Sequence, residues 1–305
     1  MAQLQVKLLF KSYLWNTHVS TAPKTIPISI YTPASQLTEP GRLFRGMLRD
    51  VVISRELAWR LLVRNISSRY RHTFFGYVWA FLPPILTAGV FVFLQKAGYF
   101  TVGQTQVPYA VFVLAGLILW QAFADAVHAP LRLVQQSYSI LTKVNFPRES
   151  LILAGVGEVL FTSLIRLVLL ILALIWFGVG VSWTAIWFPL GVLALIGMGI
   201  ALGLLITPVA ILYHDVGQAL PLVLYLWMFL TPVIYPAPTT WPGSLLILLN
   251  PVSPVLVTTR AWLFSGSPHY LNGFFAVGGL TVLALLAGWL LYRLALPILI
   301  ERMSA

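Results

Sequence analysis

The chain has 305 residues, of which 59% are hydrophobic and only 9% charged, with a formal net charge of +11 and a mean hydropathy of +0.88. That composition excludes an ordinary soluble domain and describes an integral membrane protein. With no cysteine, a disulfide framework, a thiolate zinc site and a cysteine nucleophile are also excluded.

Residues 1–46 are polar, basic and punctuated by Pro23, Pro27, Pro33 and Pro40. They are expected to form a loose cytoplasmic N-terminal extension without a cleavable signal peptide. An amphipathic interface helix is expected over 47–72. At 100° per residue Leu48, Val51, Ala58, Trp59, Leu62 and Ile66 share one face, while Arg49, Arg60, Arg64 and Arg71 gather on the opposite one and Arg55 and Arg69 intrude on the apolar side. Such a helix suits the cytoplasmic headgroup layer, its arginines turned toward anionic lipid phosphates or another protein.

Formal charge then stops. After Arg69, Arg71 and His72 none occurs from Thr73 to Gln95, long enough to cross ~30 Å of hydrocarbon. Six apolar stretches of about 20 residues or more are expected to span the bilayer, at 74–95, 108–130, 150–177, 185–212, 217–236 and 272–296. They make residues 73–298 one transmembrane domain, followed by a short cytoplasmic tail at 299–305. Eleven of the 19 Lys and Arg precede Thr73. With a cytoplasmic N-terminus, Arg132, Lys143, Arg148, Arg293 and Arg302 fall on the same side, Lys96 and Arg260 fall outside, and Arg166 lies within a span. This is the positive-inside asymmetry, and it accounts for the basic charge without a nucleic-acid ligand.

Between the last two expected spans, in an outer region at 237–271, Trp241–Leu249 and Val252–Phe264 are too short to cross and are interrupted by Pro242, Pro251 and Pro254. They are expected to be short re-entrant helices, which survive at membrane depth only beside protein or water.

Five ordered stretches carry a family likeness: "RYRHTFFGYVWAFLPP", "VLAGLILWQAFADAV", "NFPRES", "YHDVGQALPLVLYLWMFLTPVIYP" and "LNPVSP". From about residue 50 to the C-terminus the chain resembles the membrane (permease) subunit of ABC-2 type polysaccharide exporters, which handle O-antigen, capsule and teichoic-acid chains. The resemblance implies an all-α homodimer of six-span subunits in the bacterial inner membrane. It also implies two copies of a separate ATPase subunit that carries ATP and Mg, and a lipid-linked polysaccharide as cargo. No phosphate-cradling G-x-x-x-x-G-K-[ST] motif and no cofactor site of its own is expected in this chain. A membrane-embedded enzyme acting on polyprenyl-linked sugars is the alternative. Against it, the chain has only eight acidic residues and no paired carboxylates in a cytoplasmic loop to hold a metal or to act as acid and base.

The resemblance also implies roles for residues. Asn145, Phe146, Pro147, Arg148 and Glu149 match a loop that couples to the ATPase, although Pro147 equally suits the start of any span. Asp215 matches a second cytoplasmic contact, or caps the helix that follows it. Arg69 and Arg71 are candidates for substrate admission or headgroup contact, Arg69 needing a fixed acceptor in the substrate pyrophosphate or a protein carboxylate. Tyr77, Trp79, Phe81, Tyr225, Trp227 and Phe229 are candidates for channel lining, since amphipathic rings suit sugar faces. Asp125, His128, Glu158 and Arg166 lie in or near spans, where ionisable groups face protein, a pathway or a proton route. Glu158 and Arg166, eight residues apart, are too distant along one helix to pair directly. "GIALG", Gly199–Gly203, is expected to allow close helix packing.

Overall fold

In the computed structural model the described residues are 40–70, 76–141, 147–238, 240–241 and 243–304. Residues 1–43 and 44–305 separate into two units, and the second is described here. The described residues are helical, with no strand among them. The helices are α1 (Pro40–Tyr70), α2 (Leu82–Lys96), α3 (Tyr109–Leu141), α4 (Glu149–Trp176), α5 (Phe188–Leu212), α6 (His214–Leu230), α7 (Gly243–Leu249), α8 (Val252–Phe264) and α9 (Leu271–Ser304). Short 3₁₀ turns at Gly76–Ala80 and Trp183–Trp187 lead into α2 and α5.

The core is built on α3, whose residues 111–120 are all buried. It packs against α4 and α5, and α5 packs in turn against α9. Small residues make the α3–α5 approach possible. A Cβ on Gly199 would lie 2.5 Å from the Phe123 carbonyl oxygen, and one on Gly203 would lie 2.5 Å from that of Val127 and 3.0 Å from the Pro130 ring. The close packing expected of Gly199–Gly203 is therefore an intramolecular contact. Pro130 sits inside α3, and the glycine opposite gives its ring room. Outward, Phe93, Ile175, Leu222 and Leu283 stay exposed, as they do where hydrocarbon is the solvent.

Five helical segments are long and apolar enough to cross a membrane: Val78–Lys96, Tyr109–Tyr138, Glu149–Trp176, Trp183–Leu212 and Leu271–Leu296. The protein is a multi-pass membrane protein. The span expected at 217–236 is α6, a helix of 17 residues, about 25 Å long and short of the ~30 Å hydrocarbon core. Past Leu230 the chain turns through 231–235, where Thr231 and Val233 are buried. The two short helices expected in the region that follows are present as α7 and α8. Nearly every side of α8 is enclosed by protein, including Val252–Leu256, Thr258–Arg260, Trp262 and Leu263.

Two expectations for the interface helix are corrected. It begins at Pro40 rather than 47, proline being favoured at a first helical position. Its buried stripe is Met47, Ser54, Ala58 and Leu61, while Trp59 is exposed, a rotation of about a quarter turn from the expected apolar face. The same side of α1 carries Asp50 and Asn65, which find partners in Arg293 and Glu158, and these contacts fix which face turns toward the bundle.

Candidate functional site

Two charged residues on each of α3 and α4 organise one end of the bundle. Asp125 and Arg132 are seven residues apart, and Glu158 and Arg166 eight, so each pair stands about two turns apart on one helix face. The helices run antiparallel, and the charges cross-pair: Arg166 Nη1 to Asp125 Oδ2 at 2.6 Å and Arg132 Nη2 to Glu158 Oε2 at 2.8 Å. Charges at membrane depth are retained when so paired. Glu158 and Arg166 are not partners of each other, as their spacing requires.

Glu158 also receives α1. Its Oε1 accepts from Asn65 Nδ2 at 2.7 Å, and Asn65 Oδ1 accepts from Arg64 Nε and Nη2 at 3.2 and 3.1 Å. The adjacent Gly157 lets Leu62 settle close, for a Cβ there would stand 2.9 Å from Leu62 Cδ2. Around this junction opens a cavity of about 410 Å³ lined by Arg64, Asn65, Ser68, Arg69, Gln136 and Glu158. A second anchor holds the earlier part of α1, where Arg293 of α9 donates from Nη1 to Glu149 Oε1 at 2.8 Å and from Nη2 to Asp50 Oδ2 at 2.7 Å.

At the far end of the bundle Asn250, in "LNPVSP", ties three segments. Its Oδ1 accepts from Trp227 Nε1 and from the Val252 amide, both at 3.1 Å, and its Nδ2 donates to Thr231 Oγ1 at 2.8 Å. Nearby, the buried Arg260 lies 3.8 Å over the Phe112 ring and donates to the Val233 carbonyl at 3.2 Å.

The sequence-derived candidates divide accordingly. Arg69 lines the cavity and is exposed; Arg71 lies outside the described residues. Asn145 and Phe146 also lie outside them, while Pro147 and Arg148 are half-buried ahead of α4. Glu149 is turned inward onto Arg293, buried at the helix start. Asp215 is exposed in the first turn of α6, where its charge complements the helix dipole. The Tyr77 side chain lies outside the described part. Trp79 is exposed and Phe81 half-buried; Tyr225 and Phe229 are exposed and meet edge to face at 5.3 Å. Trp227 is half-buried; it packs edge-on to Trp120 and Phe123 and spends its N–H on Asn250. His128 is half-buried on α3. No group of three His, Cys, Asp or Glu side chains able to hold a metal occurs among the described residues. Asn65, Arg132, Gln136 and Arg293 were not singled out beforehand as site residues. The signal for Arg132 was its spacing of seven from Asp125, matching the eight between Glu158 and Arg166.

The sequence profile described as "ABC-2 type transporter" matches residues 56–264. This chain belongs to the ABC-2 type transporter family. The match takes in the second half of α1, the α3–α4 ion pairs and the Asn250 junction, and leaves Asp50 and Arg293 outside. Among characterised relatives, the chain is 30% identical over 220 residues to the "O-antigen export system permease protein RfbA" of Myxococcus xanthus, covering 70% of this chain and 83% of that protein. Proteins of the same name from Klebsiella pneumoniae are 24% and 25% identical, each over 68% of this chain and 80% of theirs. As an ABC-2 protein of this kind the chain is a transporter membrane subunit, and its ordered charge pairs belong to a transport body.

Proposed function

We propose that this ABC-2 protein is the permease subunit of an exporter that moves a lipid-linked, O-antigen-like glycan across the bacterial cytoplasmic membrane. The observation that carries the reading is the similarity to O-antigen export permeases over 70% of the chain. The arginine-bearing cavity beside α1 supports it, since guanidinium forks match the phosphate oxygens of a lipid carrier. Two copies of the chain flank the pathway, α6 serves as a sixth span, and the lysine and arginine bias sets both termini in the cytoplasm. A separate pair of nucleotide-binding subunits hydrolyses ATP with Mg. They dock on the segment that joins α3 to α4, through Asn145, Phe146, Pro147 and Arg148, and on the turn at Asp215.

Deleting the gene from its host should abolish surface glycan while intracellular lipid-linked glycan accumulates, and re-expression should restore both. The purified chain should be inert toward ATP and should co-purify with its nucleotide-binding partner in equal copies. Replacing Phe146 and Arg148 together by alanine should leave membrane insertion intact and uncouple ATP turnover from export. Unaltered surface glycan in the deletion strain overturns the proposal.

A further inference from the structure

Glu158 presents an enclosed carboxylate to a cavity whose other walls include Arg64 and Arg69. Both of its oxygens are engaged, Oε1 by Asn65 at 2.7 Å and Oε2 by Arg132 at 2.8 Å. Because Asn65 also holds Arg64, the chain Arg64, Asn65, Glu158, Arg132 links α1 through α4 to α3. Arg64 and Arg69 line the cavity with Glu158, and Arg132 holds the same carboxylate from α3, so three arginines stand against one acid at this junction and positive charge is in excess. Arg132 also has a buried Nε–H without an acceptor among the described residues. The volume of about 410 Å³ is that of a small-ligand site.

A cationic site with an internal carboxylate is filled by its own protein when no other anion is present. We propose that Glu158 is a resident counter-anion, which a phosphate or diphosphate monoester displaces from Arg132. The entering group, doubly charged or more, takes the Arg132, Arg64 and Arg69 donors, where a carboxylate offers one charge. Glu158 then lets go of Asn65 as well, and α1 loses the hydrogen bond that fastens it to α4 beside the Leu62–Gly157 contact. Binding of the anion and release of the interface helix are thereby one event. The ligand class rests on the exporter reading, in which the phosphate is borne by a lipid.

The test uses the purified full chain in phosphatidylcholine nanodiscs, titrated separately with farnesyl diphosphate, with inorganic pyrophosphate and with added phosphatidylglycerol. Glu158→Gln removes the competing charge and keeps the shape, so farnesyl diphosphate should bind about tenfold more tightly than to the wild type. Arg132→Gln leaves the carboxylate unopposed in the site, and binding should weaken about tenfold. Opposite signs for these two variants exclude a general loss of folding, which would weaken both. The displacement itself is read from amide hydrogen exchange across residues 58–68 of α1, which should rise when farnesyl diphosphate binds the wild type; unchanged hydrogen exchange there overturns the displacement of Glu158. Farnesyl diphosphate binding well above inorganic pyrophosphate identifies the anion as lipid-borne; equal binding assigns the site to free phosphates and overturns the lipid part. Unchanged or weaker binding in Glu158→Gln, or a phosphatidylglycerol response equal to that of the diphosphate, overturns the proposal. If that happens while deletion of the chain still abolishes glycan export, the exchange alone has failed. If instead the exchange is seen and deletion leaves export intact, the exporter reading has failed.

Discussion

Arg166 of α4 reaches Asp125 of α3 at 2.6 Å across 41 positions of sequence. With Arg132 and Glu158 two turns away, the pair pins the register of two antiparallel helices at membrane depth. Removing one partner strands a charge in a low-dielectric surrounding, whereas removing both leaves an apolar contact. Arg166→Leu alone should therefore lower stability by about 3 kcal/mol, and the double change Asp125→Leu with Arg166→Leu should recover most of it. Unfolding midpoints of the parent, Arg166→Leu, Asp125→Leu and the double variant in one detergent measure the coupling; equal losses in the single and double variants would show that the pair holds no register.

Trp227 and Asn250 make a second testable junction. Trp227→Phe keeps an aromatic ring but loses one hydrogen bond and part of the packed volume, so about 1–2 kcal/mol of stability should go. Asn250→Leu deprives the Trp227 indole and the Val252 amide of their acceptor at once, while Thr231 keeps its bond to the Trp227 carbonyl, and should cost about 3 kcal/mol. Thermal unfolding distinguishes this from a channel role: a Trp227→Phe protein of native stability with altered export would return the ring to the pathway.

The glycine contacts provide a comparison with an internal control. Alanine at Gly199 or Gly203 meets backbone carbonyl oxygens of α3, while alanine at Gly278 or Gly279 meets nothing within 4 Å. The first two changes should each destabilise by about 1–3 kcal/mol, and the other two should stay within about 1 kcal/mol of the parent. Equal behaviour of both sets in a melting assay would refute close α3–α5 packing.

Arg293 joins α1 to α4 by holding Asp50 and Glu149 together. Arg293→Gln should raise hydrogen exchange across residues 40–60 by at least about tenfold, the equivalent of about 1.4 kcal/mol. Lysine, with one point charge in place of a fork, should restore only part of the protection. Unchanged exchange in the glutamine variant would mean that α1 is held by its other contacts alone.

Much of the architecture was legible because it is written in local periodicity. Long, strongly apolar runs with few charges mark Tyr109–Tyr138 and Glu149–Trp176 as spans, and the break at Pro251 and Pro254 separates short helices from long ones, since hydrocarbon thickness acts on each segment by itself. The charge asymmetry and the small residues at Gly199 and Gly203 are equally local. What tertiary structure alone decided is who meets whom. Asp125 and Glu158 choose Arg166 and Arg132 only once α3 and α4 are placed antiparallel at one register. Glu149, in a motif that reads as a docking surface, turns inward because Arg293 arrives from 144 positions away. Trp227 meets Trp120, Phe123 and Asn250 only because α6 and the Asn250 turn are brought against α3. The face of α1 that turns inward was hidden for the same reason: a polar or charged side chain is stabilised by a partner, and a partner from another helix leaves no trace in the spacing of its own.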